Sequence, residues 1–191
     1  MAELVNELID HPLELGPCNG LHRLEAMVVL YRADEQLHQL PEKTRQKMLA
    51  HMKAVSNLVV ASQHEEGYWN RSWPRGAKAF DIVKQPSSDP AKPNKAGETA
   101  EAPKKIETPL HDKLLVTGHH LEWLALAPEE VQPPRETIVR AGQWLAKTLV
   151  EMDQKELTAA YGPYSHAARA LCLWRGVEPI DAWKKGFVSK N

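Results

Sequence analysis

A chain of 191 residues, 42% hydrophobic and 26% charged, is long enough for one compact core and too short for two comfortable domains, so a single domain over residues 1–191 is expected. Its 24 basic and 25 acidic residues leave a formal charge of -1, which offers no footprint to a polyanion and argues against nucleic acid as a partner. No stretch approaches the roughly 18 consecutive apolar residues of a membrane span, and the opening MAELVNELIDHPLEL has neither the basic head nor the apolar run of a signal peptide, so the expected location is cytoplasmic, away from membranes. With only Cys18 and Cys172, far apart and in no CxxC pattern, a disulfide framework and a four-cysteine zinc module are both excluded.

In chain order, a short helix is expected near residues 2–10. From Leu21 to Gln36 the apolar positions Leu21, Leu24, Met27, Val28 and Tyr31 fall on one stripe at helical spacing. After Pro41 a longer helix runs from Glu42 to Ser62, with Met48, Met52, Val55, Val59 and Val60 on its apolar face and Gly67 soon after its end. Segment 84–112 is rich in Pro, Lys, Ala and Glu and has no apolar periodicity, so it reads as a mobile insertion within the domain. A second pair of helices is expected at about Leu114 to Ala127 and Pro134 to Met152, and a third at Tyr164 to Trp174 and Pro179 to about Lys185. Convincing strand alternation appears nowhere.

The first helices of the three pairs are alike. They begin LHRLEAMVVLYR at Leu21, GHHLEWLALAP at Gly118 and SHAARALCLWRG at Ser165, with a histidine second in each: His22, His119 and His166. Three residues later stand Glu25, Glu122 and Arg169. Such self-similarity predicts stacked helical hairpins, one helix of each pair lining an inner surface while its partner faces outward.

The junction Gln63-His-Glu-Glu-Gly67-Tyr-Trp69 reads Q-x-x-x-G-x-W, with Lys53-Ala54 and Leu58-Val59-Val60 ahead of it. A degraded copy runs from Arg140-Ala141 and Trp144-Leu145 to Gln154 and Tyr161-Gly162. This resembles the QW repeat of squalene cyclases and the wider toroid superfamily that includes protein prenyltransferases. In such a repeat the Gln bonds orphan carbonyls at the helix end while the Trp packs across the junction. The resemblance implies an all-α fold, an α/α toroid-like arc of about three helical hairpins, half of a six-hairpin ring. The patterns C-x-G-x-H-R-L at Cys18, T-G-H-x-L-E-W-L-A-L at Thr117 and Y-x-H-A at Tyr164 are also similar to the C-terminal part of an uncharacterised bacterial toroid-like family. Terpene cyclisation is discarded, because the chain has neither a D-x-D-D proton donor nor a D-D-x-x-D magnesium motif. Half a ring leaves two helical edges, which predicts a homodimer or larger toroid partner that completes it, or an open arc capped by the short terminal helices.

At equivalent positions on neighbouring inner helices, His22, His119 and His166 should converge at one end of the concave surface. Cys18 lies one turn before His22, with Glu25 and Glu122 one turn deeper. The buried glutamates then need Arg23, Arg169, His120 or a ligand as partners. Three readings stay open. Cys18, His22, His119 and His166 make a workable tetrahedral set for zinc, a metal that toroids such as prenyltransferases and lanthionine cyclases hold through scattered Cys, His and Asp residues, although the local motifs of those families, including the paired Cys-His of the latter, are absent from this sequence. His119 or His166 beside Glu122 suits acid–base catalysis on a polar, sugar-like substrate, and Thr117 to Trp123 is similar to the G-H-x-x-E-W stretch of N-acylglucosamine 2-epimerases. The leading reading is architectural: the histidines cap and pack inner helices of a non-catalytic binding or interaction domain with a small polar ligand or a protein partner. Trp69, Trp73 and Trp123 are expected in the core or at junctions, and His38, His51 and His64 at the surface.

Overall fold

The computed structural model describes residues 2–80, 109–153, 155, 161–178 and 180–181. Among these residues the regular structure is entirely helical, with no strand. We label the long helices α1 (Ala2–Asp10), α2 (Leu21–Leu37), α3 (Glu42–Ala61), α4 (Leu110–Leu126), α5 (Arg135–Glu151) and α6 (Tyr161–Arg175). Short 3-10 turns stand at Pro17–Gly20, Trp73–Lys78 and Glu129–Val131.

Two starts differ from expectation. Helix α4 opens at Leu110, four residues before Leu114, because the Pro109 carbonyl accepts the first N–H groups, those of Asp112 and Lys113. The last residues assigned to the insertion are therefore helical, and Asp112 in this first turn pairs with Arg71 at 2.7 Å. Helix α6 opens at Tyr161 with Gly162 and Pro163 in its first turn, where a missing N–H costs nothing. The remainder of the expected insertion, 84–108, lies outside the described residues. So do Gln154 and nearly all of the helix expected from Pro179 to Lys185.

Helix α4 is the centre of the molecule. Val116 to Leu124 are all buried, as befits a helix enclosed on every side rather than one with a single apolar stripe. It lies between α2 and α6, and its contact with α6 is the most extensive among the described elements. Gly118 makes that closeness feasible: a Cβ there would stand 2.8 Å from the Ala167 nitrogen and 2.9 Å from the His166 carbonyl carbon. Ala167 and Ala170, fully buried, present equally little bulk from α6. One contiguous apolar cluster joins these helices to α3 and α5 through Met48, Met52, Val59, Ala141 and Leu145, with Trp69, Trp73 and Trp123 fully enclosed.

The junction after α3 divides its labour differently from the expected pattern. The Trp69 indole N–H, not Gln63, takes the late α3 carbonyl, donating to Val59 at 2.8 Å. Its backbone N–H donates to the Thr117 hydroxyl on α4. Gln63 instead reaches across to α5, donating to the Thr137 and Gly67 carbonyls while accepting from Arg140. Gly67, at φ 105, is needed here, since a Cβ would fall 2.5 Å from the Arg140 carbonyl oxygen. The free carbonyls ending α4 are met by Gln132 and by Arg32 of α2, a cation suited to a helix C-terminus.

Of the histidines expected at the surface only His38 is plainly exposed. His51 is half-buried, and His64 stacks on Tyr68 with ring centroids 4.3 Å apart.

Candidate functional site

Histidines on α2, α4 and α6 stand side by side in one row. The His22 and His119 ring centroids are 4.8 Å apart, and those of His119 and His166 are 3.9 Å apart. The close α4–α6 crossing at Gly118 positions the second pair. Beneath the row lies Glu122, one helical turn from His119 and fully buried.

Both imidazoles address one carboxylate oxygen. Glu122 Oε2 is 3.2 Å from His119 Nδ1 and 2.9 Å from His166 Nδ1. Burial by itself would push the Glu122 carboxyl up, but the hydrogen bonds from His119 and His166, with the charges of His166 and Arg169, outweigh it and hold it at about 2. An ionised carboxylate only accepts, so each Nδ1 carries the proton it donates. Whenever the His119 ring carries a single proton, this leaves Nε2 as a bare lone pair. That atom is buried and has no hydrogen-bond partner.

Arg169 ties the two acidic positions of the repeat together. One arm lies 3.4 Å from Glu122 Oε1 and the other 3.3 Å from Glu25 Oε1. Its side chain is half exposed and that of His166 is 28% exposed, so the Glu122 cluster opens to solvent on the α6 side. The other expected partners are used elsewhere. Arg23 donates to the His11, Pro12 and Leu15 carbonyls, pinning the loop before the first 3-10 turn. His120 turns away from the row and accepts from the Trp123 indole at 3.1 Å, between Trp69 and Trp73. Burial, and then the charge of His119, keep its pKa well below the ordinary histidine range.

Cys18 reaches the other side of the row. Its position comes from backbone geometry rather than from a helical turn before His22: Cys18, Asn19 and Gly20 are successively left-handed, with φ of 52, 53 and 77. A Cβ at Gly20 would meet the Leu13 carbonyl at 2.9 Å, which explains glycine there. A non-glycine residue such as Cys18 in this region is held by its surroundings, here by the loop that Arg23 clamps. Ligand atoms of Cys18, His22 and His119 all lie within 4.8 Å of one another. Those of His119, Glu122 and His166 form a second such group. The four-residue set of Cys18, His22, His119 and His166 is thus arranged as two groups that share His119, with His166 on the Glu122 side. Burial raises the Cys18 thiol above its ordinary value, opposed by Arg71, while burial and then His119 lower the His22 imidazole. Cys18 and Cys172 are both unpaired.

Two parts of the site carried weak sequence signals. Arg169 stood in the register of the two glutamates, a position marked by the repeat, yet its bridging of both depends on how α6 approaches α2 and α4. Gly118 is an isolated glycine inside a helical pattern, a residue that weakens a helix and for which a packing reason can be sought.

No family model, no curated protein and no solved structure matches this chain. No helix among the described residues is long and apolar enough to cross a membrane.

Proposed function

We propose that this chain is a non-catalytic binding domain of toroid type. Three helical hairpins form an arc, half of an α/α ring, whose concave His/Glu/Cys-lined face takes up a small polar ligand on the α6 side. A homodimer, or a larger toroid partner, completes the ring. A cytoplasmic location accompanies this reading, in keeping with two unpaired cysteines.

The observation that carries the reading is the buried, ionised Glu122, compensated by groups that stand at a solvent-facing rim. Desolvating a carboxylate costs several kcal/mol in typical proteins, and packed apolar side chains often fill such a position at equal or better stability. A charge kept in the middle of an enclosed helix, with His166 and Arg169 leading from it to solvent, sets polar groups at a rim where a polar ligand can bind them. Such a ligand would exchange hydrogen bonds with His166, Arg169 and Glu25. The test is a titration of the chain with neutral monosaccharides and uronic acids, followed through the histidine ring resonances. His166 and His119 should move while exposed His38 does not; a panel that moves neither His166 nor His119 contradicts the reading.

A second reading, acid–base catalysis on a sugar-like substrate by an epimerase or lyase mechanism, is favoured by the 2.9 Å pairing of His166 with Glu122. Nδ1 being engaged, Nε2 of this partly exposed ring is the atom left to give or take a proton, with Glu122 stabilising the charged ring and His119 orienting the carboxylate. Loss of sugar conversion in His166→Gln with sugar binding retained would identify this chemistry.

A further inference from the structure

We propose that Cys18, His22 and His119 form a zinc site with one open coordination position, in which Glu122 orients His119 as an outer carboxylate. This goes beyond the polar-ligand reading, since it stands on Cys18 and the α2 side of the histidine row.

The set is chemically apt. One thiolate and two imidazoles match a borderline-soft divalent cation, and three protein ligands leave the fourth tetrahedral position for water or substrate. Geometry brings the set together from three separate pieces of chain: the left-handed turn at Cys18, the first turn of α2 and the middle of α4. The ligand atoms lie within 4.8 Å, whereas atoms sharing a tetrahedral zinc stand about 3.3–3.6 Å apart. Closing that gap would fall to the exposed His22 ring and the half-buried Cys18 side chain, since His119 is held by the packing of α4.

Buried His119 supplies an independent indication. Only 3% exposed, it has its Nδ1 engaged by Glu122 and its Nε2 free of any hydrogen-bond partner. Leaving a buried ring nitrogen unmatched is costly, and a bound ion or a water is what commonly meets such an atom. Carboxylate, histidine and metal in line is also the arrangement by which proteins fix the tautomer and basicity of a metal-bound imidazole. The neighbouring group of His119, Glu122 and His166 is less suited, because its close contacts are already hydrogen bonds between ring nitrogens and the carboxylate.

The full chain, stripped with chelator, should be titrated with zinc against a chromophoric competitor and separately with cobalt(II). One equivalent is expected to bind, cobalt giving a sulfur-to-metal charge-transfer band and tetrahedral visible bands. Cys18→Ser should abolish the charge-transfer band, and His22→Ala, at an exposed position that leaves the fold intact, should abolish stoichiometric binding. Glu122→Gln should weaken zinc by roughly ten- to a hundredfold with the band unmoved, as expected of a positioning residue. His166→Ala should retain both metal and band. Circular dichroism of each variant separates lost binding from lost fold. The proposal is overturned by absence of stoichiometric metal in the native chain, by a band that survives Cys18→Ser, or by a folded His22→Ala that binds as well as native. Histidine signals that respond to sugar but not to zinc would overturn the metal site and leave the polar-ligand reading standing. A response to zinc alone would do the reverse.

Discussion

Individual residues make two testable contributions outside the site. Asp34 accepts from the Leu40 and Gln39 backbone N–H groups and pairs with Arg45 at 3.1 Å, fastening the connection between α2 and α3. The Leu40 hydrogen bond outweighs desolvation, with Arg45 and Gln39 adding to it, and together they lower its pKa. A lowered folded-state value means stability that is present above the ordinary aspartate range and lost as pH falls through the folded pKa. Asp34→Asn should therefore lower the thermal midpoint at neutral pH, and the gap to the native chain should close on acidification; a gap that widens in acid would contradict this. Trp69→Phe removes the indole donor to Val59 but leaves the Ser62 hydroxyl on the same carbonyl, so a denaturant titration should show a loss of about 1 kcal/mol. At this scale the sequence was informative about proximity but not about register: the three histidines do stand together, yet His22 is second in α2 while His119 is tenth in α4 and His166 sixth in α6, so they do not open their helices alike. That Glu122 alone receives two of them was not legible, because it depends on the separation between α4 and α6.

Between elements, the decisive feature is the α4–α6 crossing. Gly118→Ala gains about 1 kcal/mol of helix propensity, yet the new Cβ meets backbone atoms of α6 that cannot rotate away. Overpacking of this kind typically costs about 1–3 kcal/mol. The variant should unfold at lower urea than the native chain, and its His166 signal should lose the coupling to Glu122. Unchanged stability would mean that the crossing is looser than described. Helix content and order were readable from apolar spacing, since each long helix begins and ends within a few residues of expectation. The misjudged starts of α4 and α6 have a common cause: Pro109 and Pro163 look like breakers in sequence but serve as a cap and a first-turn residue. The exchanged roles of Gln63 and Trp69 were beyond sequence, because either side chain can reach an orphan carbonyl and only the position of α5 decides which does.

For the whole molecule, the proposed half ring leaves α2 and α6 as its two edges, so light scattering at rising concentration should report a mass of two chains; one chain throughout would leave the arc open. Length and composition bounded the fold to one helical core, but they could not say whether recurrent histidines serve architecture or a ligand, since both demand the same register. Energetics can separate the two. If Glu122 and His119 are retained for what they bind, the fold does not depend on them, and the partners they would leave behind, His166 and Arg169, can turn to water. The direct test is the unfolding free energy, by denaturant titration, of the double variant His119→Leu with Glu122→Leu. Stability equal to the native chain, or higher by up to about 4 kcal/mol, is predicted when a buried carboxylate and its hydrogen-bonded ring give way to apolar side chains. A loss of about 3–5 kcal/mol would show that the pair holds the fold together and would contradict a site kept for binding.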